Sequence, residues 1–368
     1  MRVDSLTAMR FIAALVVVIF HYGGNADLVK LSPGFLTSGP HMVSFFYVLS
    51  GYVLVLAYKY KSYFTIGVYF ISRLARIYPV YLFALILTLY FTIPNIAVKT
   101  LFIHFTMLQA WIPPNPLMLN SPGWSLSVEA FFYVIFPLLF IYINNKGLSW
   151  KAIIAVSVAL WLVTQIVITY LLNSSFYKGD PSASHDLIYY FPLSHLCSFY
   201  LGMSGAYLFI NKKEQICRYR YINFSLILIL IVNYLALEKG YYMSSWIGFN
   251  LPTASSFLSP LYLALIINIS GCDNYITKSL TIKPFVVLGE ASYSLYILQS
   301  PVHMAYVRFV SGKLSTNPSY DFYFYLIMLI IISVTSYYTI EMQAKKAVMF
   351  WFDSFRNRKF LAQTDMQT

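Results

Sequence analysis

Leu6-Thr-Ala-Met-Arg-Phe-Ile-Ala-Ala-Leu-Val-Val-Val-Ile-Phe-His-Tyr22 places one cation, Arg10, and one imidazole, His21, in an otherwise apolar run. Seventeen residues of helix cover about 26 Å, close to the hydrocarbon thickness of a bilayer. A secretory signal shares the basic start and apolar middle. Here Phe20-His21-Tyr22 offers no small-residue cleavage pattern and Arg10 interrupts the run, so the segment reads as a retained span. Arg10 and His21 are eleven residues apart, about 16 Å along the axis and within roughly 20° of one face. One stripe thus presents a cation near one end and an imidazole near the other. An extended ligand, anionic at one end and reactive at the other, could bridge them; the plainer alternative is a snorkelling arginine and an interfacial histidine.

The rest of the chain repeats this grease. Of 368 residues, 59% are hydrophobic and 10% charged, and the mean hydropathy is +0.66. A soluble domain carries nearer a quarter charged residues. The composition excludes a soluble enzyme, a disordered chain and a secreted disulfide scaffold. Cys197, Cys217 and Cys272 are odd in number and unpatterned, supporting neither a disulfide framework nor a zinc site. Further apolar stretches lie near 40–58, 77–93, 124–143, 151–172, 187–210, 221–237, 252–270, 285–307 and 322–341. The expected fold class is therefore all-α: a polytopic transmembrane helix bundle of about ten spans.

The net charge of +12 fits basic loops on the cytoplasmic side rather than a nucleic-acid partner, since no basic run with interleaved aromatics occupies a polar segment. Lys59, Lys61, Arg73 and Arg76 fall in the loop expected after the second span. Lys212, Lys213, Arg218 and Arg220 follow the sixth, and Lys345, Lys346, Arg356, Arg358 and Lys359 follow the last. Ten spans with both termini cytoplasmic put all three groups on one side. A crossing at 97–112 would destroy that bias. Residues 94–123 are thus expected to stay outside, as a loop or re-entrant segment with Pro113, Pro114, Pro116 and Pro122.

Ionisable residues within the spans are the first candidates for chemistry, since each costs about 2.5–3.5 kcal/mol at the helix centre on insertion scales. Glu129, in Gly-Trp-Ser-Leu-Ser-Val-Glu, is expected about a turn and a half below the outer surface, at the depth of His21. There it could orient the imidazole and stabilise its charged form; a purely structural contact is the other reading. Arg73 and Arg76 share a helical face suited to phosphate, or serve only as topology charge. Glu290, beside Gly289, is a candidate cap for the start of its helix. His41, His104, His185, His195 and His303 read as structural or interfacial. No phosphate loop, dinucleotide fingerprint, zinc signature or nucleophile elbow occurs.

Five segments in order resemble the acyltransferase 3 family of integral membrane acyltransferases. They are Met9–His21, with arginine, ten residues and histidine; Ser44–Tyr52; Phe70–Pro79; Gly123–Glu129 with Phe132, Tyr133 and Pro137; and Gly289–Gln299. The resemblance implies ten spans, an acyltransferase transmembrane domain over 1–345 and a basic cytoplasmic tail over 346–368. It implies an O-acetyltransferase of the bacterial inner membrane, moving acetyl from acetyl-CoA to a hydroxyl of a lipid-linked or surface glycan such as O-antigen or exopolysaccharide. Acetyl-CoA is then a co-substrate, with no permanently bound cofactor and no metal. His21 and Glu129 carry over as catalytic residues, Arg10 as essential, and Arg73 and Arg76 as candidates for the CoA phosphates. Arg10 is also expected on the donor side. Trp124, Tyr293 and Tyr296 are candidates for the acceptor cavity, or packing. Gln299 stands where many members have histidine, and an amide cannot serve as acid or base. Gln343 replaces the usual proline after Glu341, weakening any role for that glutamate. The rival readings are a lipid-linked glycan flippase or polymerase, and acylation of a small molecule or lipid.

Overall fold

A computed structural model describes residues 4–61, 64–92, 96–218, 222–271, 275–315 and 317–352. Arg220, Cys272, Arg356, Arg358 and Lys359, all named above, lie outside the described residues, as does most of the expected tail. No strand occurs among the described residues. The helices are α1 (Asp4–Tyr22), α2 (Asp27–Leu31), α3 (Pro33–Leu36), α4 (Gly39–Tyr58), α5 (Ile66–Phe91), α6 (Val98–Phe105), α7 (Gly123–Asn145), α8 (Trp150–Leu172), α9 (Ala183–Tyr189), α10 (Pro192–Arg218), α11 (Ile222–Ile247), α12 (Ser259–Gly271), α13 (Tyr275–Leu280), α14 (Lys283–Glu290), α15 (Ser292–Phe309) and α16 (Pro318–Ser336). A π-helical turn, Tyr337–Glu341, follows α16.

Seven helical segments among the described residues are long and apolar enough to cross a membrane: Asp4–Tyr22, Gly39–Tyr58, Ile66–Phe91, Gly123–Asn145, Trp150–Leu172, Ala183–Cys217 and Pro318–Phe352. The other expected spans are present as helix but differ in build: α11, the shorter apolar stretch Ser256–Gly271, and α15.

Three sequence expectations need correction. α5 starts at Ile66, so Arg73 and Arg76 stand inside a helix rather than in the loop after the second span. Ser72-Arg-Leu-Ala-Arg contains good helix formers and no breaker, and the bundle supplies a polar interior for the two guanidiniums. The expected 285–307 span is broken at Ala291, which caps α14 and precedes α15. Glu290 therefore ends α14 instead of capping a helix start.

The 97–112 segment forms α6 and a 3₁₀ turn at Gln109–Trp111. Eight residues of α-helix reach about 12 Å, too little to span. The segment packs against protein: Tyr78 and Tyr81 of α5 donate to the carbonyls of Phe105 and His104. Gln109 is fully buried and donates to the Gly123 carbonyl at the start of α7.

α4 lies at the centre and crosses α10 at backbone distance. A Cβ on Gly51 would stand 2.1 Å from the Phe199 carbonyl oxygen, and one on Gly202 would stand 1.9 Å from that of Val48. Small residues permit such an approach where lipid gives helices no hydrophobic reason to associate. The α14 helix rests on α1 in the same way, through Gly289 against Thr7.

Candidate active site

α1, α4, α5, α7 and α15 enclose a cavity of about 110 Å³. Its polar lining includes Arg10, Arg73, Arg76, Glu129, Tyr133 and Tyr293. Along α4 the lining runs from Val43 to Leu54, about 16 Å of helix. A second cavity of about 250 Å³ adjoins it, sharing Arg10, Arg76, Leu49 and Val53, and adds Glu290, Tyr337, Glu341 and Lys345. The narrow first cavity lies below the usual 300–1,000 Å³ of a small-molecule pocket. It fits the arm of a ligand better than a whole nucleotide.

The three arginines differ in their company. Arg10 and Arg76 lie near one another and among Glu129, Glu290 and Glu341. Arg73 is set between the rings of Tyr58 and Tyr133, each centroid 5.9 Å from its guanidinium carbon, and its buried Nε has no hydrogen-bond partner. Ring faces attract a cation without neutralising it, so Arg73 stays available to an anion.

Glu129 projects from α7 into the cavity and accepts a hydrogen bond of 2.5 Å from Tyr133, one turn further along the helix. Toward Tyr296 the lining is aromatic and hydroxyl in character. Phe46 and Tyr296 meet edge to face at 5.9 Å, and Ser125 donates to the Tyr296 hydroxyl at 2.8 Å.

His21 is not part of this lining. It stands exposed at the end of α1, with its Nδ1 2.9 Å from Oε1 of Gln299. Gln299 is one turn beyond Tyr296 on α15, so the imidazole lies just past the Tyr296 end of the cavity. The partner expected for His21 was Glu129; its hydrogen bond runs to Gln299 instead. Trp124 also lies off the cavity, packed on Tyr190 and His195 at centroid distances of 4.8 and 5.6 Å. The structure thus gathers Arg10, Arg73, Arg76, Glu129, Tyr293 and Tyr296 and leaves His21 and Trp124 outside.

Sequence reasoning missed Tyr133 and Gln299 as partners. Glu129 and Tyr133 are spaced i, i+4, which signals a same-face contact. Gln299 is 278 residues from His21, and no local pattern announces that pairing. The other histidines behave as structural groups. His195 is buried with Nε2 2.9 Å from the Tyr189 carbonyl, and His303 stacks on Tyr22 at 4.1 Å. No group of three or more His, Cys, Asp or Glu suited to a metal ion occurs among the described residues.

A family model described as an acyltransferase domain, Acyl_transf_3, matches residues 3–338. The O-acetyltransferase OatA of Staphylococcus aureus is 26% identical over 372 aligned residues, covering 93% of this chain and 57% of that protein. The acyltransferase MdmB of Streptomyces mycarofaciens is 32% identical over 152 residues, covering 37% of this chain and 39% of that protein. The chain therefore spans about half the length of these relatives. No solved structure matches it.

Proposed function

This chain belongs to the acyltransferase family whose model spans residues 3–338, and from that premise we propose that it is an O-acetyltransferase carrying acetyl from acetyl-CoA to a hydroxyl of a cell-surface glycan. It sits in the bacterial inner membrane with ten crossings and both termini in the cytoplasm. The observation that carries the reading is the run of groups along one axis. Arg10, Arg73 and Arg76 line the cavity, and His21 stands beyond its Tyr296 end.

The donor enters from the cytoplasmic side. Its phosphates meet Arg73, which packs between two tyrosine rings and makes no ion pair among the described residues, while Arg10 and Arg76 sit among Glu129, Glu290 and Glu341 and line the way inward. The thioester arm lies along α4. Glu129 acts on this donor side, holding Tyr133 and balancing the arginines, rather than on the imidazole. The acceptor, an O-antigen or exopolysaccharide unit on its lipid carrier, approaches from the other side, where His21 is exposed.

At the junction His21 takes the proton of the acceptor hydroxyl as its oxygen attacks the thioester carbonyl. The tetrahedral adduct collapses, the carbon–sulfur bond breaks, and the CoA thiolate recovers the proton. A positioned base contributes about 10²–10⁴-fold; proximity and oxyanion stabilisation supply the rest.

The test is to replace His21 with alanine in a producing cell, confirm membrane expression, and follow labelled acetyl from acetyl-CoA into glycan by NMR. Acetylation should fall by at least about 10²-fold. Wild-type acetylation would reject the assignment of His21. Label appearing in a small molecule or a lipid would move the acceptor to that class, and no transfer by the wild-type protein would leave the flippase reading.

A further inference from the structure

We infer that Gln299 is the positioning residue of His21: its amide fixes the proton on Nδ1 and leaves Nε2 bare as the base. The inference rests on the reading of His21 as the proton acceptor and adds the group that makes it one.

Gln299 is fully buried on α15. Its Nε2 lies 2.7 Å from the backbone carbonyl of Tyr296. A carbonyl oxygen only accepts, so the amide must present its NH₂ there. That choice turns Oε1 toward His21, 2.9 Å from Nδ1. Oε1 also only accepts, so Nδ1 carries the hydrogen and donates it. A neutral imidazole has one N–H, so Nε2 keeps its lone pair. Among the described residues no protein group hydrogen-bonds Nε2, and the residue is exposed.

The Tyr296 carbonyl is what makes an amide usable in this place. An amide has a donor face and an acceptor face. Offered by its donor face, it would force the proton onto Nε2 and disable the base; in a histidine-dependent hydrolase that error costs about 10⁴ in kcat. The i, i−3 contact within α15 selects the acceptor face. Tyr325 of α16 secures the same turn, donating to the Gln299 carbonyl at 3.0 Å, and its ring packs against Tyr22, the neighbour of His21.

An amide also orients without charge. Tyr22 is the titratable ring packed on His21; Tyr22 in turn packs on His303 of α15 and Tyr325 of α16, with Asp321 beyond them engaged by Tyr306 and Ser311. No carboxylate hydrogen-bonds His21 among the described residues. A carboxylate placed at 299 would stabilise the imidazolium, so the base would reach its active form only at higher pH.

The experiment uses the full-length protein in detergent or proteoliposomes, with acetyl-CoA and the glycan acceptor. Gln299→Leu is expected to lower kcat by about 10²-fold, with the KM for acetyl-CoA unchanged. Gln299→Glu keeps an acceptor toward Nδ1 but loses the donor to the Tyr296 carbonyl, so it is expected to retain part of kcat while the acid limb of its pH profile moves upward by about one unit. A purely structural role would lower stability and move neither the limb nor the kcat-to-KM split. Full kcat in Gln299→Leu, or an unmoved limb in Gln299→Glu, overturns the inference; if Gln299→Leu fails to fold, the profile of Gln299→Glu decides alone. His21→Ala run alongside separates the two claims. An active His21→Ala protein removes the base itself, whereas an inactive one beside unaltered Gln299 variants removes only Gln299.

Discussion

Arg73 and Arg76 sit one turn apart on α5, yet their surroundings assign them different work. Arg76 lies among Glu341, Glu129 and Glu290, and Glu341 is largely buried. Replacing Arg76 with glutamine removes one of the two cations, with Arg10, that face the buried Glu341, so it should lower the melting temperature. Arg73 stacks between two tyrosine rings with a free Nε. Its glutamine variant should fold normally and raise the KM for acetyl-CoA by about 10-fold or more, as expected when a charge-assisted phosphate contact is lost. Thermal unfolding and donor titration on the two variants separate these outcomes; equal effects on both measurements would contradict the division. At this scale the sequence was informative wherever a charge interrupted an apolar run, because lipid makes such a residue costly unless it has a use. Arg10 and Glu129 stood out for that reason, whereas the arginine pair, expected in a loop, stood out only by its shared helical face. What each one touches was hidden, since the His21–Gln299 and Arg10–Glu341 relations join the first helix to the last ones.

Elements were legible in their existence and poorly legible at their ends. α5 extends eleven residues before the expected start at 77, because a hydropathy reading stops at arginines that the bundle interior accepts. The break at Ala291 lies within a stretch read as one span and adjoins Gly289, where α14 rests on α1. Neither decision is local. The α4–α10 crossing makes the dependence measurable. Gly51 has the Phe199 carbonyl 2.1 Å from where a Cβ would stand, whereas nothing lies within 4 Å of the corresponding point on Gly24. Gly51→Ala therefore has to push two backbones apart. It should destabilise the protein by at least about 1–3 kcal/mol, the usual cost of overpacking, and lower its melting temperature in detergent. Gly24→Ala should leave the melting temperature unchanged. Equal melting temperatures would mean that the two helices do not approach through this glycine. Because α4 also lines the cavity through Val43–Leu54, the same substitution should depress activity more than its loss of folded protein explains.

For the molecule as a whole, the proposal needs a donor side and an acceptor side. That requirement can be tested without any substrate. If the chain makes ten crossings with inward termini, as proposed, Lys213 on α10 is expected to face the cytoplasm, and Leu117 in the segment after α6 and Lys178 between α8 and α9 to face outward. All three are at least partly exposed. In a background where Cys197, Cys217 and Cys272 are replaced by serine, necessary because Cys217 is itself exposed, each position takes one cysteine in turn. A membrane-impermeant thiol reagent should label Leu117→Cys and Lys178→Cys once the outer barrier is opened, and Lys213→Cys only after the inner membrane is permeabilised. The outcome bears on mechanism because the helices tie these markers to the site. Arg73 lies near the start of α5, next to the loop carrying Lys59 and Lys61, and His21 ends α1 beside the outward segment α2–α3. Labelling of Lys213→Cys in sealed cells would put the arginines outside, out of reach of cytoplasmic acetyl-CoA. The direction of transfer would then have to be reversed.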